Sequence, residues 1–111
     1  MATISSVLGP LDTGELGFTL SHEHIMVAPA AFPVTFPDFI DRKATSQRAV
    51  RDLTQARGEG VTTIIDPCPY DQGRDIRLLE EVSHRSDVQI IAATGTWRDI
   101  PRVFWVATPD M

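Results

Sequence analysis

Two short apolar runs rich in β-branched residues constrain this chain more than any other feature. "VTTIID" (61–66) and "VQIIAATG" (88–95) each read as a strand. Between them, "DIRLLEEV" sets Ile76, Leu79 and Val82 at helical spacing. Upstream, a helix is expected from Thr45-Ser46, with Ala49, Val50, Leu53 and Ala56 on one stripe and Gly58 or Gly60 at its end. A further strand, "FTLSHEH" (18–24), precedes that helix. The order strand, helix, strand, helix, strand gives repeated βα units and therefore a parallel sheet. Strands this apolar require cover on both faces. The expected fold class is α/β.

The N-terminal "TISSVLGPLDTGELGFTL" holds two strand-like runs interrupted by Gly9-Pro10 and Asp12-Thr13-Gly14. These are turn signals, so a short β-hairpin is expected over residues 1–17, with the βα units filling 18–111. The same segment lacks a basic n-region and a long apolar h-region, so it does not read as a signal peptide. At the other end, Thr108-Pro109-Asp110 reads as a helix start, with a capping hydroxyl, proline at the first position and an acid in the first turn. With no helix behind it, the expectation is that the 111 residues are an incomplete part of a larger fold.

The formal net charge is -5, which disfavours a nucleic-acid or anionic-membrane surface. Cys68 is the only cysteine, so an internal disulfide is excluded. No apolar run approaches a membrane span in length. These readings together point to a cytoplasmic protein.

Two of the three histidines, His22 and His24, flank Glu23. On a strand, the period of two sends both imidazoles to one face. On a helix they would diverge by about 200°. Imidazoles at i and i+2 converge on one point, as zinc requires. The pair alone does not hold a catalytic metal, and taken bare it reads more readily as chance or structure. Its place at a strand end favours a site, because parallel α/β folds build theirs at strand C-termini.

Other residues carry open readings. Glu23, of opposite parity, should point away from such a metal. Asp66 reads as a second acceptor orienting an imidazole or as an ordinary strand terminator. Cys68 reads chiefly as a buried small residue, with zinc ligation the lesser alternative. His84 reads as a surface residue. Pro29, Pro33 and Pro37 exclude a regular helix, and the interleaved Phe32, Phe36 and Phe39 read as a loop packed over the core or as an apolar pocket wall.

"GFTLSHEHIMV", "GVTTIIDPCPYDQGRDIRLLEEVS" and "VQIIAATGTW" together resemble the phosphotriesterase family of the amidohydrolase superfamily, in order and spacing, over nearly the whole chain. That family includes phosphotriesterases, lactonases and related proteins. The resemblance implies a (β/α)8 TIM barrel, here its N-terminal portion: the first three parallel strands with their helices, preceded by the hairpin. It implies a site of two divalent metals, commonly zinc, in which His22 and His24 are metal ligands. It also implies a structural role for Gly73, Arg74 and Asp75 at the start of the second helix, and a place for Trp97 at the substrate pocket. For Trp97 a core or lid role remains equally open. A metal-activated hydroxide would hydrolyse an ester-type bond in a small lactone or organophosphate.

The family's bridging lysine, later histidines and later aspartate are not among these residues, and the sole lysine, Lys43, falls in the first loop region. A whole barrel needs about 250 residues. The chain alone is therefore expected to be inactive. A non-catalytic binding or scaffold module that keeps the first βα units is the alternative, and homo-oligomer formation stays open. An unpartnered outer edge on the third strand would favour self-association.

Overall fold

A computed structural model describes residues 2–98 of the chain. The expected helix start at Thr108-Pro109-Asp110 lies outside the described residues. Strands β1 (Thr3–Ser6) and β2 (Gly9–Asp12) form an antiparallel hairpin with Ser6 opposite Gly9. Its turn is Val7-Leu8, so Gly9-Pro10 does not separate the strands but opens the second one. Ser6 closes the turn by donating from Oγ to the Gly9 carbonyl at 2.8 Å and accepting from the Leu8 N–H at 3.3 Å. Pro10 is tolerated in β2 because a two-stranded ribbon leaves one side of each strand without a ladder to feed. Asp12-Thr13-Gly14 does turn the chain, with the Asp12 carboxylate accepting from the Gly14 N–H at 2.7 Å.

Three strands make the second sheet: β3 (Phe18–Leu20), β4 (Val61–Asp66) and β5 (Gln89–Ala92), in the order β3-β4-β5 and all parallel. Leu20 registers with Ile64, and Ile64 with Ile90. The entry to β3 is bulged between Phe18 and Thr19. The Thr62 and Thr63 hydroxyls both donate to the Leu16 carbonyl at 2.6 Å and hold the chain against β4 there.

Three helices connect these strands: a single turn α1 (Phe32–Thr35), then α2 (Arg42–Gly58) and α3 (Ile76–Ser86). The prolines do not prevent α1, because Pro33 sits in its first turn, where its missing N–H has no intrahelical partner to lose. Helix α2 starts earlier than Thr45-Ser46. Asp41 is its N-cap, accepting from the Ala44 N–H at 2.9 Å, so Lys43 lies in a helix and not in a loop. Asp75 caps α3 in the same way, accepting from the Leu78 N–H at 3.0 Å.

The core forms between the helices and the sheet: Ala49 from α2, Val61, Ile64 and Ile90 from the strands, Leu78, Leu79 and Val82 from α3, and Val88. Leu78 takes the inward place expected of Ile76, which is 40% exposed. Ser46, Ser83 and Ser86 are also buried, and Ser83 Oγ donates to the Val88 carbonyl at 2.7 Å. The last strand is not left with β4 alone. The Val7 N–H in the hairpin turn donates to the Ile90 carbonyl at 2.9 Å, giving β5 a second backbone partner.

The Gly73-Arg74-Asp75 motif is structural. Gly73 has φ +79°, and a Cβ there would lie 2.6 Å from the Ala28 carbonyl oxygen. Arg74 donates to the Ala93 carbonyl beyond β5, and Arg42 Nε reaches Asp75 at 3.1 Å. The motif thus joins the segments that follow all three parallel strands. Gly73→Ala is expected to lower unfolding free energy by about 2 kcal/mol, from the left-handed backbone and the carbonyl clash. Urea denaturation measures this. A variant as stable as the parent would show that the approach of Ala28 to Gly73 is not fixed.

Candidate metal centre

The segment after β3 builds the site. The expected strand through His24 stops at Leu20, because the backbone donors beyond it change partners. Glu23 still donates its N–H to the Ile65 carbonyl at 3.0 Å. Two residues on, the Ile25 N–H turns to the Asp66 carboxylate at 3.2 Å. Asp66, the last residue of β4 and 1% exposed, also accepts from the Cys68 N–H at 2.9 Å. One buried carboxylate therefore pins two loops together. The backbone leaves the sheet there, but both imidazoles stay on one side.

His22 and His24 meet edge to face, with ring centroids 4.9 Å apart and planes at 78°. Their Nε2 atoms are 3.1 Å apart. Two nitrogens each about 2.0–2.1 Å from a tetrahedral zinc stand about 3.3 Å apart. The pair therefore fits two ligands of one ion with a shift of tenths of an ångström.

The other side of His24 faces β4. Nδ1 lies 2.8 Å from Cys68 Sγ and 3.9 Å from Asp66 Oδ1. Ligand atoms of His24, Asp66 and Cys68 all fall within 4.8 Å of one another. This group is a poorer cage than the histidine pair. Sulfur at about 2.3 Å and nitrogen at about 2.0 Å from one zinc would stand about 3.5 Å apart, well beyond the observed contact. Both Asp66 oxygens also already accept backbone hydrogen bonds. Of the two readings of Asp66, the structure favours the terminator that staples loops. The atom against the imidazole belongs to Cys68, a contact that sequence reasoning missed. Its one available signal was position, two residues past the end of β4.

Burial pushes the Cys68 thiol up to about 12 from 9.0, and the neighbouring Asp66 charge and hydrogen bond add to the effect. A thiol whose folded pKa is raised adds stability in full below about pH 9 and loses it as pH climbs towards 12. Thermal unfolding of the parent should therefore fall more steeply over that window than that of Cys68→Ser, by a difference on the order of 2–4 kcal/mol. Parallel pH profiles would show that the thiol is not protected.

The remaining candidates separate from the pair. Glu23 and His84 are exposed, and His84 lies in the last turn of α3, where a basic side chain suits the helix dipole. Trp97 is 62% exposed. Its backbone N–H donates to Asp71 at 2.8 Å, and the Arg98 guanidinium lies 5.3 Å from its ring centroid. Among the described residues, no hydrogen bond or ring contact joins it to either histidine. Phe32 packs on Phe36 and Phe39 at centroid distances of 4.9 and 4.7 Å. Phe39 also lines, with His24, Met26 and Arg48, an open cavity of about 580 Å³. The aromatic loop thus packs on itself and walls a cleft.

Paired imidazoles just beyond the C-terminal end of the first strand of a parallel sheet belong to the α/β class whose sites gather at strand ends. Within that class the chain belongs to the phosphotriesterase family, whose model matches residues 2–111. It is 33% identical over 95 residues to an aryldialkylphosphatase of Saccharolobus solfataricus, covering 86% of this chain and 30% of that protein. It is 30% identical over 112 residues to a phosphotriesterase homology protein of Mycobacterium tuberculosis, covering 98% of this chain and 34% of that one. A phosphotriesterase-related protein of Aedes aegypti is 27% identical over 125 residues, covering 86% and 35%. The chain spans about a third of the length of the curated relatives it matches. No helix among the described residues is long and apolar enough to cross a membrane.

Proposed function

We propose that the chain is the N-terminal portion of a single (β/α)8 barrel domain of a metal-dependent hydrolase, and that His22 and His24 are metal ligands from the segment just past its first strand. The hairpin would occupy 1–17 and the first βα units 18–111. The observation that carries this reading is the 3.1 Å approach of the two Nε2 atoms just past β3. Each atom, once unprotonated, offers one lone pair, and imidazole nitrogen suits zinc well. A divalent metal supplies Lewis acidity, which acidifies water and polarises an ester-type bond. The chain's own contribution is to aim two nitrogens at one point and to wall the adjoining cleft with Met26 and Phe39. Trp97, held by Asp71, would add an apolar surface at the substrate pocket. A second metal would draw its ligands from later strands.

The substrate class is a small lactone or phosphotriester, the latter in line with the Saccharolobus relative's name. The protein acts in the cytoplasm, without nucleic-acid or membrane partners. The coding sequence after Met111 tests the reading at once. A continuing frame with a strand lysine and two later strand histidines supports it, whereas a stop codon favours the binding or scaffold module. The complete product should hydrolyse a phosphotriester or a lactone with added zinc, and inactivity on both would overturn the hydrolase. Residues 1–111 alone should show no turnover near an ordinary enzyme's 1–10³ per second, roughly.

A further inference from the structure

We propose that Cys68 is a positioning residue for His24, holding its imidazole with the proton on Nδ1 and the Nε2 lone pair turned to the metal. This deepens the metal reading above and rests on it. The contact is built from both sides. Cys68 is 2% exposed, and its Sγ donates to the Met26 carbonyl at 3.3 Å. With its hydrogen used there, the sulfur presents lone pairs to His24 Nδ1 at 2.8 Å. With the thiol hydrogen assigned to the Met26 carbonyl, rather than to Asp66 or to Nδ1 itself, Nδ1 carries the N–H, which leaves Nε2 unprotonated. That is the nitrogen standing 3.1 Å from His22 Nε2.

Cys68 is itself held in place by hydrogen bonds. Its own N–H is held by Asp66, whose other oxygen holds Ile25, the residue after His24. Met26, the acceptor of the thiol, follows Ile25. The thiol thus closes a small loop of contacts around the 24–26 segment and sets both the ring's position and its tautomer. Asp66 does not do this directly, because 3.9 Å from Nδ1 is too long for a hydrogen bond. Ligating histidines commonly depend on such a partner at the second nitrogen, and its loss weakens metal binding about 10–100-fold.

The test has a part that needs no variant and no metal. Long-range nitrogen–proton correlation spectra of the metal-free chain, assigned with His22→Asn and His84→Asn, report the His24 tautomer. The expected result is a proton on Nδ1. A proton on Nε2 instead overturns the proposal. Zinc titration against a competing chelator then compares the parent with Cys68→Ser, Cys68→Ala and Cys68→Val, each checked for cooperative unfolding. Serine, which can accept the same hydrogen bond, should bind zinc within about threefold of the parent. Alanine and valine should weaken binding about tenfold or more and shift the tautomer towards Nε2–H. Equal affinity and an unchanged tautomer in a folded alanine or valine variant overturn the positioning role. Cobalt distinguishes a direct ligand: a sulfur-to-cobalt charge-transfer band in the parent would make Cys68 a metal ligand and overturn it too. If His22→Asn with His24→Asn leaves zinc affinity unchanged, the metal reading itself falls, while the metal-free tautomer still decides how Cys68 holds the ring.

Discussion

Replacing His22 and His24 together by asparagine should weaken zinc binding by more than about 100-fold while the fold persists. Losing a partner behind a ligating histidine already costs about 10–100-fold, so losing both of the proposed ligands should cost more. The fold should tolerate the change because neither ring belongs to the hydrophobic core, and the His24 side chain is 33% exposed. The backbone bonds that shape the loop run through Glu23 and Ile25 and do not use the imidazoles. Zinc titration against a competing chelator, beside circular dichroism melts, reads both halves. A double variant that binds zinc as tightly as the parent would move any metal site away from this strand end. A double variant that unfolds would show that the pair serves structure first.

Asp66→Ala should be the most destabilising single change outside the apolar core, by about 3 kcal/mol. Asp66 is almost wholly buried, and its two oxygens accept from the N–H groups of Ile25 and Cys68. Alanine leaves both donors without their acceptor, at about 1–3 kcal/mol for a buried group. Small domains have only about 5–15 kcal/mol in total, so the loss would be visible in any denaturation curve. Asp66→Asn keeps one acceptor oxygen and should cost roughly half as much. Urea denaturation of the three proteins gives the order. An alanine variant within about 0.5 kcal/mol of the parent would mean that water replaces the carboxylate freely. The same variant should disturb the site, because Ile25 and Cys68 bracket His24 on its inner side.

Much of the fold was legible because its signals are local. The run "VTTIID" reads as a strand from composition alone, and β4 occupies those same residues. The helix after it follows from its apolar spacing, although the inward face turns slightly so that Leu78 replaces Ile76 at the core. Parallel order follows from helices between strands, since a crossover is the ordinary way to bring successive strands together pointing the same way. Boundaries were less legible. Asp41, not Thr45, opens α2, because an aspartate with a free N–H three residues on is a complete cap wherever the chain presents it. The hairpin turn falls at Val7-Leu8, because the Ser6 side chain closes it, while the more obvious turn residues sit inside β2.

The site divides along the same line. The sequence by itself determined that two imidazoles two residues apart would share one side, since alternation along an extended chain needs no tertiary partner. It also determined that a glycine, an arginine and an aspartate would stand where β4 hands over to α3. Only the tertiary structure decided that the strand ends at Leu20, that Asp66 holds two loops, and that a thiol lies against His24. Those contacts join residues 41 and 44 positions apart, Ile25 with Asp66 and His24 with Cys68. No local period encodes such a pairing. It exists because β3 and β4 lie side by side in parallel, so that whatever follows the end of one strand is brought against whatever follows the end of the other.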